Sequence, residues 1–95
     1  MLNITDVRIR LINNAGNLKA SASITIDDAF VVRDIKVIDT GDGGKFIAMP
    51  SRKIVSGDSE RYTDIAHPIK QETREAIQDI VLEKYNEALA AAIAE

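Results

Sequence analysis

Two pairs of cationic side chains carry the clearest chemical signal in the sequence. Arg52 and Lys53 closely follow Pro50, and Lys70 and Arg74 stand four positions apart where a helix is expected to begin. Guanidinium and ammonium groups neutralise phosphate, and the free N–H groups and positive dipole end of a helix N-terminus also favour a phosphate nearby. If the chain after the proline folds beside the helix start, all four cations would converge. The sequence thus predicts a local phosphate-binding patch made by these four residues.

A solvated charged surface is the alternative interpretation of the same cations. Acidic residues lie close to them in the sequence, namely Asp58, Glu60, Glu72 and Glu75. Further cations fall on predicted strands, at Arg8, Arg10, Arg33 and Lys36. Composition alone favours this alternative, because the chain as a whole is acidic and any nucleic-acid binding must come from a local patch.

Two other features invite a catalytic or metal-binding interpretation and do not support it. The glycine-rich stretch of residues 39–44 feeds a strand rather than a helix, and Lys45 lacks the following Ser or Thr of a phosphate-binding loop. Its aspartates are also out of phase for a calcium loop. His67 is the only histidine and has only Thr63 and Asp64 as local partners. We therefore expect a hairpin turn, a structural histidine, no enzyme activity, no metal and no cofactor.

The first half of the chain has the period-two alternation of β-strands. Val7, Ile9 and Leu11 alternate with polar residues, and residues 18–26 repeat the pattern after a turn cluster at residues 13–17. These two segments predict a β-hairpin.

A third strand is predicted at residues 30–38. Its apolar residues fall on both faces, with Phe30, Val32 and Ile38 on one side and Val31, Ile35 and Val37 on the other. A strand covered on both faces belongs in the middle of a sheet or at a subunit interface.

The remaining strands are predicted to be short. Residues 40–44 form a turn, residues 46–49 a fourth strand, and residues 61–66 a last strand. The polar residues 51–60 predict a mobile loop, so that Arg52 and Lys53 would leave the sheet in that loop.

The pattern changes to a helical period after Pro68. Polar residues occupy the opposite side from an apolar stripe made by Ile77, Ile80, Val81, the stem of Lys84, Ala88 and Ala92. The sequence thus predicts an α+β fold, with an antiparallel sheet of four to five strands within residues 1–66 and a C-terminal amphipathic helix at about residues 69–92. Residues 1–95 are expected to form one domain.

Length and composition indicate the cellular compartment and the oligomeric state. The chain has 95 residues, no cysteine and a net charge of −3, all of it in residues 68–95, which hold three Lys/Arg and six Asp/Glu. The absence of cysteine suits a reducing compartment, and no stretch approaches the ~20 apolar residues of a membrane span. These features predict a cytoplasmic protein. A core without Trp and an open sheet edge also favour pairing of subunits into a homodimer.

Several longer segments resemble a known family. They are ITDVRIRLIN, SITIDDAFVVRDIKVID, KFIAMPSRK, DIAHPIKQETR and IQDIVLEKY, in this order and spacing. Together they are similar to the stage V sporulation protein G (SpoVG) family over roughly residues 1–87. The resemblance implies a cytoplasmic bacterial α+β protein that dimerises through its strands.

The resemblance also implies a function. It suggests a regulator that binds DNA and RNA and influences gene expression, sporulation and asymmetric septation, without catalysis or a cofactor. By position, its nucleic-acid contacts would fall on Arg52, Lys53 and Arg74, with Lys70 assisting. The alternative hypothesis is a protein–protein interaction module in septation or cell-division control that has no physiological nucleic-acid binding.

Overall fold

Six strands and one helix make up the computed structural model, which describes residues 3–12 and 16–94. In chain order they are β1 (Ile4–Leu11), β2 (Leu18–Ile26), β3 (Phe30–Asp39), β4 (Lys45–Ala48), β5 (Ser51–Ser56), β6 (Ser59–Asp64) and α1 (Gln71–Ala94). Strands β1 to β4 form an antiparallel sheet in sequential order, and β5 pairs with β6 in a separate two-stranded sheet. The predicted α+β class is confirmed.

The first three strands follow one another through hairpins. The predicted turn at residues 13–17 includes residues 13–15, which lie outside the described residues. Between β2 and β3, Asp27 and Asp28 both have positive φ (52° and 54°), and the Ala29 N–H donates to the Ile26 carbonyl at 3.0 Å. Two consecutive positive φ angles match the right-handed twist of the flanking strands, as in a type I′ turn.

The prediction that Val32 and Ile35 lie on opposite faces of β3 is wrong. Val32 opposes Ile24, and Ile35 opposes Ala22. Between these two pairs β3 contains one residue more than β2. The extra residue forms a bulge at which Asp34 has a φ of 63°. Because a bulge reverses the alternation, Val32 lies on the same side as Ile35, and the described residues cover only that face of β3.

The hydrophobic core lies between the four-stranded sheet and α1. Its buried members are Ala20, Ala22, Ile24, Ile35, Val37, Ile47, Met49, Ile77, Val81 and Tyr85. The helix packs mainly on β1 and β4. The ammonium of Lys45 also lies 6.0 Å from the centre of the Tyr85 ring, within the outer range of a cation–π contact.

The predicted apolar stripe of the helix needs two corrections. Ile77 and Val81 are buried and Ile80 is partly buried, as expected, but Lys84 is exposed and Tyr85 is buried in its place. The ring of Tyr85 continues the four-residue spacing from Val81 and buries more apolar area than a lysine stem. Ala92 is also exposed, although the stripe was predicted to include it.

The prediction of a mobile loop at residues 51–60 is also wrong. These residues form β5, a turn and the start of β6, with Ser56 paired to Ser59 across a two-residue turn. Gly57 takes a φ of 60° there, a conformation that glycine adopts without a Cβ penalty. The β-branched Ile54 and Val55 favour the strand that precedes this turn. Arg52 and Lys53 therefore lie on a regular strand.

Candidate nucleic-acid interface

The β5–β6 hairpin orients the two cations that follow Pro50 toward opposite sides. Arg52 pairs with Thr63, and Lys53 pairs with Tyr62. Because successive side chains of a strand point to opposite faces, one flat ligand cannot contact both cations on the same face of the hairpin. The predicted pair is therefore divided between two surfaces.

A second arginine shares the face of Arg52. Arg61 opposes Ile54 in the hairpin register, two positions along β6 from the partner of Arg52, so both guanidinium groups lie on one side. Both arginines are exposed, and neither has a carboxylate within ion-pair distance among the residues described in the structure. Arg61 is not among the predicted site residues, because residues 51–60 were expected to form a loop without a strand register. Recognising the turn at Gly57 would have fixed the register and shown that the two arginines share a face.

Lys53 is engaged by an acidic partner on the other face. Its ammonium lies 3.1 Å from a carboxylate oxygen of Glu60, and both side chains are roughly half exposed. Such an exposed pair adds little to stability, but it neutralises the cation locally. For Lys53 the geometry favours the interpretation of a solvated, balanced surface over that of a phosphate contact.

Lys70 and Arg74 lie at the start of α1, as predicted. The helix begins at Gln71, and the Arg74 N–H donates to the Lys70 carbonyl at 3.1 Å, which makes Lys70 the N-cap residue. Lys70 is exposed and Arg74 is half-buried. The unpaired N–H groups of the first turn add partial positive charge beside these two cations.

Acidic residues oppose the positive charge at the helix start. Glu72 and Glu75 flank Arg74 in sequence, and the Gln71 side-chain amide donates to a Glu75 carboxylate oxygen at 3.2 Å. This hydrogen bond holds the Glu75 carboxylate on the first turns of the helix. The local field for a phosphate is thus weaker than two cations and a helix dipole alone would give.

Convergence of the hairpin cations with the helix-start cations stays a prediction. The Ile65 N–H donates to the Pro50 carbonyl at 2.7 Å, which extends the β5–β6 pairing by one step at the open end of the hairpin. No hydrogen bond or ion pair connects the hairpin with α1 in the described part of the chain. The structure therefore places these cations on two separate elements.

The glycine-rich stretch between β3 and β4 is a hairpin turn held by its own side chains. The Thr40 hydroxyl and the Gly44 N–H both donate to the Asp42 carboxylate, the latter at 3.1 Å. These bonds, the one from Thr40 first, lower the pKa of Asp42 below its ordinary value of 3.8. Within residues 3–12 and 16–94, no group of three or more His, Asp or Glu side chains could hold a metal ion.

The hydroxyl of Thr40 can be tested as the main cause of this lowered pKa. We expect Thr40→Val to raise the Asp42 pKa, measured by NMR titration of the carboxyl carbon, whereas Thr40→Ser keeps the hydroxyl and leaves it low. Because the folded-state pKa is lowered, the turn's contribution to stability is present above the ordinary carboxyl pKa and is lost as pH falls through the lowered value. An Asp42 pKa that is equal in the three proteins would refute this assignment.

None of the helices in the described residues is long and apolar enough to cross a membrane.

Comparison with known proteins gives a consistent result over nearly the whole chain. The family model described as SpoVG matches residues 2–87. The chain belongs to the SpoVG family. It is 53% identical over 90 residues to "Putative septation protein SpoVG" of Caldicellulosiruptor bescii, covering 95% of this chain and 98% of that protein.

Two further SpoVG relatives are more similar in sequence over slightly shorter spans. The protein of the same name from Agathobacter rectalis is 60% identical over 84 residues, covering 88% of this chain and 92% of that protein. The one from Lachnospira eligens is 61% identical over 87 residues, covering 92% of this chain and 94% of that protein. The family match includes all strands and every cation discussed above, whereas the helix continues beyond it from residue 88 to Ala94.

Proposed function

We propose that this SpoVG-family protein is a homodimeric regulator that binds DNA or RNA in the cytoplasm and influences gene expression, sporulation and asymmetric septation. The observation that carries the proposal is the shared exposed face of Arg52 and Arg61 on the β5–β6 hairpin. Two forked guanidinium groups on one regular surface suit bidentate recognition of phosphate oxygens. Lys70 and Arg74 add a second, weaker contact at the helix start.

The names of the SpoVG relatives support the cellular part of the proposal. The three compared proteins are each named as septation proteins. A phosphate-binding surface on a small chain without a metal-ligand cluster in its described residues suits a regulatory role better than a catalytic one.

Dimerisation is supported by large apolar side chains left in solvent by the single chain. Phe30 is 66% exposed, Ile65 67% and Ile69 89%. Exposed apolar side chains of this size favour contact with another protein surface, and pairing two copies would double the number of phosphate contacts. We expect sedimentation of the wild-type chain to give the mass of a dimer. Ile69→Asp places a charge on this exposed apolar surface and should shift the protein toward the monomer.

Intrinsic sequence specificity is expected to be modest. Phosphate contacts fix affinity and register but carry no base identity. Anisotropy titrations with duplex DNA, single-stranded DNA and RNA of the same sequence, at about 50 mM and 200 mM salt, test the proposal, since binding through phosphates weakens steeply over this range. Affinities that do not change with salt would contradict it.

Glu60→Gln provides a test of the opposite sign. Removing this carboxylate releases Lys53 from its ion pair, so we expect tighter binding and a log–log salt slope steeper by up to about 0.9 on duplex DNA. Asp58→Asn, which removes a nearby carboxylate outside the observed ion pairs, is the matched control. Equal gains in both variants would indicate a general charge effect and would contradict a specific role for the Lys53–Glu60 pair.

A protein–protein interaction module in septation control is the second candidate function. The observation that favours it is the exposed acidic side of α1, made by Glu72, Glu75, Asp79, Glu83 and Glu87. Affinity capture from lysate with and without nuclease separates the two. Partners that survive nuclease treatment and are lost when these carboxylates are neutralised would favour the interaction module.

A further inference from the structure

The side of the four-stranded sheet opposite α1 carries a second group of cations. Ala20, Ala22 and Ile24 point into the core, so the intervening Ser21 and Ser23 lie on the outer side of β2. The register places Arg8 beside Ser23 and Arg10 beside Ser21. On the other flank of β2, Lys36 pairs with Ser21. Two short hydroxyl side chains therefore lie between rows of long cations.

This arrangement forms a shallow depression on the sheet surface. Its volume is about 220 Å³, and its polar lining consists of Arg8, Arg10, Ser21, Ser23, Arg33 and Asp34. The serines make the floor because they are short, and the arginines of β1 and β3 make the walls. The bulge at Asp34 sets the point where Arg33 reaches the depression. We call this surface, with Lys36, the outer sheet face.

The outer sheet face is positive although the chain is negative. It holds four cations, Arg8, Arg10, Arg33 and Lys36, and one carboxylate, Asp34. Counting the neighbouring Asp6 as well gives +2 in a chain of net charge −3. Arg8 is bound to Asp6 at 3.1 Å. Neither Arg10 nor Arg33 has an ion-pair partner among the described residues, and both are exposed. Two guanidinium groups beside two hydroxyls are thus available to an anion.

We propose that the outer sheet face binds phosphate groups of a nucleic-acid strand and so provides a contact surface separate from the β5–β6 hairpin. This inference rests on the proposed function in taking nucleic acid as the ligand. Arg10 and Arg33 donate to phosphate oxygens as planar forks, and the Ser21 and Ser23 hydroxyls donate to the same anion. Asp34 lies beside them and favours a phosphodiester that keeps to the β1 and β2 side of the depression.

A nucleic-acid strand fits this surface better than the acidic side of α1 from a second copy would. Cations two positions apart on one strand stand about 6.8 Å apart, and β1, β2 and β3 span a width of about 10 Å. A continuous polyanion can follow such a ladder. Separate carboxylates on a curved helix surface meet fewer of these cations at once. The second copy remains the competing occupant for the experiment.

The test uses the full-length chain, with amide NMR and anisotropy titrations of short single-stranded and duplex DNA. We expect the amides of Ser21 and Ser23 to shift on addition of DNA. Arg10→Gln combined with Arg33→Gln should lower the log–log salt slope by about two for duplex DNA. Arg10→Lys combined with Arg33→Lys keeps the charge and should retain most of the slope, and Lys84→Gln on the helix serves as a remote charge control. Amide spectra of all variants verify the fold.

The outcomes separate this inference from the proposed function. Loss of slope in the double glutamine variant, with shifts at Ser21 and Ser23, supports the outer sheet face as a nucleic-acid surface. If that variant changes the slope no more than Lys84→Gln does while the hairpin variant Arg52→Gln with Arg61→Gln loses affinity, the inference is overturned and the proposed function stands. No binding by the wild-type chain overturns both. A change in self-association without a change in DNA binding assigns the surface to a second copy, and also overturns the inference.

Discussion

Arg52→Gln combined with Arg61→Gln is expected to weaken duplex DNA binding by roughly 10- to 50-fold at about 0.1 M salt. The two guanidinium groups share one exposed face of the β5–β6 hairpin, so their loss removes two adjacent phosphate contacts. The log–log salt slope should become shallower by about 1.8, since each neutralised phosphate contributes about 0.9. The loss should be nearly equal for unrelated sequences, because phosphate contacts do not distinguish bases.

Lys53→Gln is the matched control for this double variant. It also removes a cation from β5, but from the opposite face and from an ion pair with Glu60. We therefore expect a smaller loss of affinity than from either arginine alone. If Lys53→Gln weakens binding as much as the double arginine variant, the contact surface is the other face of the hairpin.

Ile35→Ala should have the largest effect on stability of any single change discussed here. Ile35 is fully buried on β3 and belongs to the core cluster that contains Val37 and Val81. Removing its buried methyl and methylene groups leaves a cavity under the helix and is expected to lower the free energy of unfolding by about 2–5 kcal/mol. That is a large share of the stability of a small domain, which amounts to about 5–15 kcal/mol.

Urea unfolding followed by circular dichroism measures this change. Val55→Ala on the exposed side of the hairpin is the control, and surface substitutions of this kind usually change stability by within about 0.5 kcal/mol. Equal destabilisation by the two substitutions would contradict the placement of the core between the sheet and α1. The measurement is made over a range of protein concentrations, because dimerisation would couple to unfolding.

The fold class could be predicted from the sequence because local patterns agree with the final architecture. Val7, Ile9 and Leu11 alternate along β1, and the helical period begins after Pro68, close to the observed start of α1 at Gln71. Each pattern reflects burial of one side of a single element, which neighbouring residues alone specify.

Two predictions about single elements were wrong, one for the faces of β3 and one for the buried side of α1. The bulge at Asp34 reverses the faces of β3, and no periodicity in the sequence marks an aspartate with positive φ. Tyr85 rather than Lys84 is buried against the sheet, because it continues the four-residue spacing of Ile77 and Val81. The bulge is defined only by the pairing of β3 with β2, whereas the spacing that buries Tyr85 is present in the sequence.

The candidate site could be predicted from the sequence only in part, because the direction of its side chains depends on strand pairing. Arg52 and Lys53 were recognised as cations, but their division between two faces follows from the β5–β6 register, which depends on the turn at Gly57. The same register assigns Arg61 to the face of Arg52. When residues 51–60 are predicted to be a loop, the faces of these side chains cannot be predicted, since side-chain direction is defined only once strand pairing is known.

The salt dependence of duplex DNA binding by the wild-type chain shows whether the exposed cations contact phosphates. We expect a log–log slope of about −3.6 per protomer or steeper. Four phosphate contacts at about −0.9 each, from Arg52, Arg61, Lys70 and Arg74, give this value. The Arg52→Gln, Arg61→Gln variant measured beside it should give a slope shallower by about 1.8. A slope near zero for a folded wild-type chain, or identical slopes for the two proteins, would contradict phosphate binding by Arg52 and Arg61.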